Sequence, residues 1–483
     1  MKLHELAHVL KDVNPERSMP HPEVVIRGIS YKSQEVEEGY LFVAIKGHKQ
    51  NGHHYIDEAI ENGACAVIGE EVERGLEVPY FQVENSRKAL SLISDHYYHF
   101  PTADKILIGV TGTNGKTTTG SLIRNILEDN GWSCAFFGST NNVINGEVYT
   151  TGNTTPTLLE INRRLYGSND DVVVIEVSSH ALTQHRVEGV AFDYALFTNL
   201  SHDHLDYHGS MENYFQAKKK LFGMLKKSGK AIINTDNHWG ALLAEQLRGQ
   251  GQPVISIGEK DMDDVKVDRY TSNPNSLLLK DGDGTLSMRP SLYGLHNMYN
   301  IAMAYATVVQ IGVKAEDAVF SIERFEGVEG RFTVMELKSG TAVAIDYSHT
   351  PDALFHCLNT TRELCAGKLI HLFGFRGDRD GSKRKEMISI SSELSDQYIL
   401  TSDDLNSVTS EEMKDILIDL QEKYGNRNGR VILDRTRAIE EALASTGEND
   451  WVLITGKGHE TYQQSYHYPV ENDGEAVSFL DEK

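Results

Sequence analysis

Cationic side chains are in short supply in this sequence: 47 lysines and arginines stand against 70 aspartates and glutamates, a formal net charge of −23. That balance excludes a protein that wraps nucleic acid or docks on anionic lipid, since both need a basic face. Cysteine is scarce as well. Cys65, Cys134, Cys357 and Cys365 form no C-x-x-C pair and have no histidine at metal-ligand spacing, so they read as idle thiols in a reducing compartment. No apolar run approaches the ~20 residues of a membrane span. The opening "MKLHELAHVLKDVNPERS" carries charges throughout and lacks an apolar signal segment. These absences predict a cytoplasmic protein with no nucleic-acid and no membrane partner. Short repeats and low-complexity segments are missing too.

What is present is ample core material, 40% hydrophobic residues in a chain of 483, too long for one ordinary domain. Three blocks can be read. Residues 1–100 hold short strand-like runs ("YLFVAI", "ACAVIG", "YFQVE") between polar helical stretches. After the joint "HFPTADK", residues 101–328 alternate strands ("KILIGV", "SCAFFG", "DVVVIEV", "YALFTNL", "KAIINT", "PVISIG") with helices, and "DGDGT" reads as a hairpin turn. Residues 329–483 restart the pattern with "TAVAIDY", "KLIHLFGF", "DQYILTS", "RVILD" and "DWVLITG". Short β-branched runs alternating with helices predict α/β domains with parallel sheets, whose ligands bind beyond the C-terminal strand ends.

The loop "TGTNGKTTT" follows the strand at Ile106 and opens a helix. Consecutive backbone N–H groups and a helix N-terminus make such a loop a phosphate cradle, Lys116 supplying a point charge and Thr117 a hydroxyl for Mg²⁺. The strict P-loop pattern has a glycine six residues before the lysine, where Val110 stands here, so the loop is a shorter variant. Glu176, after "DVVVI", is placed to reach the same ion.

His202, Asp203, His204, Asp206 and His208 resemble a zinc cluster by composition. With no second ligand set at zinc-enzyme spacing, the plainer reading is a loop that holds itself by hydrogen bonds. "YFQAKKKLF" holds three lysines, ordinarily a solvated helix face, and composition does not choose among them. In the last block four strand ends carry charges of both signs, including Asp346, His349 and Asp352, then Arg376, Arg379 and Lys383, then Asp403, Asp404 and Asn406, then Lys457 and Glu460. Arginine beside carboxylates suits a zwitterion such as an amino acid.

"TGTNGKTTT", "NTTPT", "EVSSHAL", "TNLSHDHLDYHG", "YFQAKKKLF", "GLHNMYN", "DYSHTPDAL", "GDRD" and "TGKGHETY" stand in the order found in Mur ligases. From about residue 25 to its end the chain resembles the MurE-type UDP-N-acetylmuramoyl-tripeptide synthetases. The resemblance implies a central P-loop parallel-sheet ATPase domain (101–328) between a small N-terminal α/β domain that binds the UDP substrate (1–100) and a C-terminal Rossmann-like α/β domain that binds the amino acid (329–483). It implies an ATP- and Mg²⁺-dependent ligase acting through an acyl phosphate, with UDP-muramoyl-L-Ala-D-Glu and a free amino acid as partners, and a monomer.

Carried over by position, Lys116, Lys218 and His204 resemble the catalytic residues. Gly112, Thr113, Asn114, Gly115, Lys116, Thr117, Thr118, Asn297, Asn300, Arg331 and Asp346 resemble the nucleotide site. Thr117, Glu176, His204 and a carbamylated Lys218 resemble the magnesium site. Ser33 and His48 correspond to uridine-diphosphate contacts. Asn153, Thr154, Thr155, Ser178, Gln184 and Arg186 belong with the muramoyl dipeptide, and His349, Arg379, Asp403, Asp404, Asn406, Gly456 and Glu460 are the substrate residues of the last block.

Four motifs depart from the family. "KSQ" and "NGH" replace D-S-R and D-G-H in the first block, and "GFRGDRD" puts Phe375 and Arg376 where two small residues are usual. "DDLN", residues 403–406, replaces the D-N-P-R of diaminopimelate enzymes. Without that arginine a second carboxylate loses its partner, so L-lysine is expected rather than meso-diaminopimelate, with Arg379 on the α-carboxylate and the acids facing the side-chain ammonium. Three alternatives stay open: a diverged paralogue joining another amino acid to another carboxylate, an NTPase with the last block as an amino-acid sensor, and a catalytically silent binding protein.

Overall fold

The computed structural model describes residues 2–6, 9, 23–47, 50–72 and 75–483. Contacts divide the chain into two compact units, one of Met1–Gly109, Trp132–Ala195 and Ala217–Gly229, the other of Val110–Gly131, Leu196–Gln216 and Lys230–Lys483. Among the described residues no helix is long and apolar enough to cross a membrane.

The first unit opens with a parallel sheet of Gly28–Ser30, Tyr40–Val43, Ala64–Gly69 and Tyr80–Gln82 in chain order. The last three are the strand-like runs of the first block; Gly28–Ser30, "GIS", has a single large apolar residue and too little pattern to be read. The same unit pairs Val172–Glu176 in parallel with Cys134–Phe137, both buried along their whole length. Burial on both faces is why they read as continuous apolar runs and not as alternating ones. Asn142–Ile144 and Glu147–Tyr149 then add antiparallel edges.

In the second unit Ala231–Asn234, the end of the strand Leu225–Asn234, pairs in parallel with Val254–Gly258 and leads into the antiparallel Val265–Ser272, Asn275–Asp281 and Gly284–Met288. The turn between the last two is the hairpin expected from "DGDGT". A six-stranded sheet follows, in the order Thr333–Glu336, Ala342–Asp346, Trp451–Thr455, Leu369–Phe375, Gln397–Ser402 and Gly429–Val431. All but the first strand run parallel. The four polar loops of the last block therefore leave neighbouring strands at one edge of the sheet, which is what makes Tyr347 and Glu460, 113 positions apart, into neighbours.

One core residue of this sheet sets a pH dependence. His371 is fully buried, its Nδ1 2.8 Å from Ser391 Oγ, its Nε2 3.0 Å from Thr455 Oγ1 and its ring stacked on Phe373 at 4.5 Å. Burial pulls its pKa from 6.5 down to about 3. The unfolded chain takes up a proton below pH 6.5 that the native chain refuses until about pH 3, so this contribution to stability is complete above 6.5 and declines as pH falls through that window. At pH 5 the expected loss is on the order of 2 kcal/mol. Urea midpoints at pH 7.5 and 5.0 should show it, and His371→Gln should flatten the difference.

Candidate active site

The strand Ile106–Thr111 turns through Gly112–Gly115 into the helix Lys116–Asp129. Gly115 has φ +83°, and a Cβ there would lie 2.4 Å from Asn300 Oδ1; at Gly112 it would lie 1.8 Å from Thr198 Oγ1. Only glycine allows this tight, open cradle. The Lys116 ammonium donates to the carbonyls of Gly112 and Thr113 at 3.0 and 2.9 Å. The Asn114 N–H donates to Asn199 Oδ1 at 2.9 Å, and its amide Nδ2 to Asp352 Oδ2 at 3.0 Å. Thr113 Oγ1 lies 3.3 Å from the Tyr214 hydroxyl.

Arg331 donates from Nη2 to Thr117 Oγ1 at 3.2 Å and stacks on the Tyr347 ring at 4.3 Å. Its Nε is buried and makes no hydrogen bond to the described residues. A buried guanidinium donor left over beside a glycine cradle at a helix N-terminus fits a phosphate group. Behind the loop Thr119, Asn300 and Asn297 form a buried chain, Thr119 Oγ1 donating to Asn300 Oδ1 at 3.2 Å and Asn300 Nδ2 to Asn297 Oδ1 at 3.0 Å. Thr118 is buried too. Asp346 accepts from the Phe332 N–H and the Ser348 N–H, each at 2.7 Å, and from the Ser348 hydroxyl.

The His-rich loop is tied to the last block as well as to itself. Asp203 is buried, accepts from Lys383 Nζ at 3.0 Å, and has His204 Nε2 at 3.4 Å and His349 Nε2 at 3.6 Å. Burial would raise its pKa, but His349, His204 and Lys383 outweigh it and hold the carboxyl well below the usual range. His202 Nε2 lies 3.2 Å from Ser382 Oγ. No group of three or more His, Cys, Asp or Glu among the described residues could hold a metal ion. His204 itself adopts φ +54° at the start of the helix Leu205–His208.

In the first unit Glu176 is fully buried at its strand end, Oε1 accepting the Ser139 N–H at 3.0 Å and Oε2 the Ser139 hydroxyl at 2.8 Å. Thr155 Oγ1 donates to the Glu176 carbonyl at 2.7 Å and lies 3.2 Å from Ser178 Oγ. Arg186 donates to the Thr155 carbonyl at 3.0 Å and to Gln184 Oε1 at 2.8 Å. Thr155, Ser178, Gln184 and Arg186 thus come together; Thr154 is half-buried beside them in sequence, while Asn153 is exposed. Of the lysine triplet Lys218 is buried, 1% exposed, while Lys219 is half-buried and Lys220 exposed. The carboxylate oxygens of Glu176 are hard donors of the kind magnesium takes. Ser33 is buried and donates to Glu58 Oε2 at 2.7 Å. His48 lies outside the described residues.

At the C-terminal strand ends Arg376 pairs with Asp403 at 3.4 Å and with Glu460, and lies 5.8 Å from the centre of the Tyr347 ring. The fully buried Lys457 donates to Asp404 Oδ1 at 2.6 Å. Burial alone would raise the Asp403 pKa; Arg376, Arg435 and Lys457 lower it below the usual range. Glu460 keeps 31% of its side chain exposed, whereas Asp403 and Asp404 keep 2% and 5%. Gly456 is buried, Arg379 exposed, and the exposed Asn406, at φ +51°, turns its amide back onto the Gly377 carbonyl at 2.7 Å.

The model of the Mur ligase family catalytic domain matches residues 25–98, that of the Mur ligase middle domain 110–308, and that of the Mur ligase, glutamate ligase domain 330–458. A UDP-N-acetylmuramoyl-L-alanyl-D-glutamate--2,6-diaminopimelate ligase of Bacillus velezensis is 37% identical over 475 residues, 96% of this chain and 95% of that one. The enzyme of the same name from Halalkalibacterium halodurans is 39% identical over 463 residues, 94% and 93% of the two chains. The chain belongs to the Mur ligase family. It is an enzyme, a ligase, with the three-domain α/β fold of that family around a parallel-sheet ATPase domain. A solved 2,6-diaminopimelate ligase of the same printed name superposes with a TM-score of 0.69 at 28% identity over 98% of each chain. A MurF ligase from Thermotoga maritima in complex with ADP shares the fold, with a TM-score of 0.65 at 21% identity, covering 90% of this chain and 94% of that one.

Several contacts of this Mur ligase could not be read from motifs. Ser139 on Glu176 and Asp352 on Asn114 join segments far apart in sequence, and nothing local marks them. Arg376 reads in sequence as one of several strand-end charges, and its pairing with Asp403 and Glu460 emerges from sheet order. A usable signal existed for Lys218: in "YFQAKKKLF" it falls four residues after Tyr214 and three after Phe215, on the face of the helix Met211–Lys219 that those buried rings occupy.

Proposed function

We propose that this ligase uses ATP and Mg²⁺ to join L-lysine to UDP-N-acetylmuramoyl-L-Ala-D-Glu, a step of peptidoglycan precursor synthesis in the cytoplasm. One observation carries the reading: Arg331, hydrogen-bonded to the phosphate-loop Thr117, and Arg376, set among the acids of the last block, lie against the same Tyr347 ring. A phosphate cradle and a zwitterion pocket that share a wall are what phosphoryl-activated condensation needs. We assign UDP binding to residues 1–100, ATP to 101–328 and the amino acid to 329–483, in a monomer.

A carboxylate is a poor electrophile, so its oxygen first attacks the γ-phosphorus of ATP and ADP leaves. The free amine of lysine then attacks the acyl carbon; the C–N bond forms, the C–O bond to phosphate breaks, and inorganic phosphate and a proton depart. Lys116 and Arg331 bind the phosphoryl oxygens whose charge changes in both steps. Thr117, Glu176, His204 and a carbamate on Lys218 would hold magnesium, which supplies further charge neutralisation when bound. Thr155, Ser178 and Arg186 orient the dipeptide, and Ser33 and His48 the uridine end. Arg379 takes the α-carboxylate of lysine, and Glu460, the acid with an open face, takes its ε-ammonium.

Arg376 favours a second reading. It brings a guanidinium into the pocket whose motif lacks one at Asn406, and the curated relatives are diaminopimelate ligases. Phosphate release with Mg-ATP and the UDP-muramoyl dipeptide, over L-lysine, L-ornithine and meso-diaminopimelate with products confirmed by mass, separates the two. L-lysine should respond most strongly. Asn406→Arg should move preference towards meso-diaminopimelate by about tenfold to a hundredfold, the worth of one charge-assisted pair. A wild type that prefers meso-diaminopimelate would assign the distal carboxylate to Arg376. Silence with every amino acid in protein that binds ATP would overturn the acceptor.

A further inference from the structure

Beneath the acidic pocket lies a buried ion pair that none of the steps above uses. Arg435 opens the helix Arg435–Ala444 and Asp473 the helix Asp473–Glu482, and both side chains are wholly buried. Arg435 donates from Nε and Nη2 to the two Asp473 oxygens, each at 2.7 Å, a bidentate fork. Nη2 also donates to the Thr455 carbonyl at 3.0 Å, and the Tyr462 hydroxyl donates to Asp473 Oδ1 at 2.8 Å.

Thr455 ends the strand that leads into "GKGHET", and Tyr462 follows that segment. One ion pair therefore grips both ends of residues 456–461. Within that span Lys457 holds Asp404 and Glu460 holds Arg376. Stability alone does not explain the pair, because desolvating two charges largely cancels their attraction and a well-packed apolar pair would serve as well. What an apolar pair would lack is direction: bonds to Thr455 and Tyr462 fix where the loop starts and where it returns.

We infer that Arg435 and Asp473 are positioning residues that set the frame of the 456–461 loop and, through Lys457 and Glu460, the selection of the amino acid. The second clause rests on the proposed reading of this pocket. Both side chains are wholly buried and act through the loop, so the effect should fall on the amino acid only.

The test uses the full-length enzyme with Tyr462→Phe, which removes a single bond and leaves the ion pair intact, and Asp473→Asn, which removes the charge. Amide hydrogen exchange should accelerate about tenfold across 456–461 in Tyr462→Phe and further in Asp473→Asn. KM for the amino acid should rise about threefold to tenfold in Tyr462→Phe, with KM for ATP unchanged. Unaltered exchange in folded Tyr462→Phe would overturn the frame. Faster exchange with both KM values moving together would overturn the link to amino-acid selection. A wild type that responds to no amino acid would instead fail the proposed function, and exchange would still judge the frame. Should Asp473→Asn not fold, Tyr462→Phe decides alone.

Discussion

Lys116→Ala is expected to lower ATP-dependent phosphate release by about 10³-fold, the scale on which removal of one preorganised charge-stabilising group is felt. Lys116 is the first residue of a 14-residue helix, and its ammonium sits over the loop carbonyls of Gly112 and Thr113. Those two bonds hold the ammonium against the loop. With phosphate oxygens present, the same ammonium faces charge that shifts from the γ-phosphoryl group to ADP and later to inorganic phosphate. The acceptor and amino-acid residues are untouched, so binding of the UDP substrate should persist. Phosphate release at saturating substrates, with calorimetry for ATP and a thermal melt to show that the variant folds, checks the expectation. Near-normal turnover would remove the phosphate-cradle assignment.

The second large effect is expected at Lys218. Lys218, 1% exposed, is the buried lysine that the proposed reading makes a carbamate. An amine adds CO₂ and releases a proton to give a carbamate, an anion with the oxygen donors that magnesium prefers. Lys218→Ala should therefore fall by about 10³-fold through the loss of one member of the metal-site electrostatics. The space vacated by the side chain can admit a short carboxylate, so acetate should restore activity by tenfold or more at high concentration. Wild-type activity should also decline in bicarbonate-depleted buffer. Full activity of Lys218→Ala without acetate would refute the carbamate role. Inactivity with no response to acetate, in a wild type indifferent to bicarbonate, would leave Lys218 a structural cation.

How far the sequence reaches can be judged from particular residues. Gly112, Gly115, Lys116 and Thr117 are legible because a phosphate cradle is a local object: a strand, a few glycines and a helix start lie within a dozen residues, and backbone sterics force the same chain types wherever it occurs. The strands of all three blocks are legible for a similar reason, since burial on both faces of a parallel sheet demands uninterrupted β-branched runs. The hairpin at "DGDGT" follows from turn chemistry alone. Short edges such as Gly28–Ser30 and Thr333–Glu336 escape, because "GIS" and "TVME" carry no continuous apolar run of the kind that marks Tyr40–Val43 or Cys134–Phe137.

Tertiary structure decided the rest. That Lys218 is the buried member of three identical lysines depends on which helix face meets the core. That Asp203 is held by Lys383, 180 residues away, and Asn114 by Asp352, 238 residues away, depends on which loops the fold brings together. Arg376 reads in sequence as a pocket arginine in place of a small residue; strand order makes it the partner of Asp403 and Glu460, and so changes which acid remains open to a ligand. Arg435 and Asp473 carried no motif at all. The sequence determined the chemistry available, because residue type and local spacing are written in it. Which charges neutralise one another and which remain for a substrate is a property of distance in space, and only the packed chain sets distances between residues hundreds of positions apart.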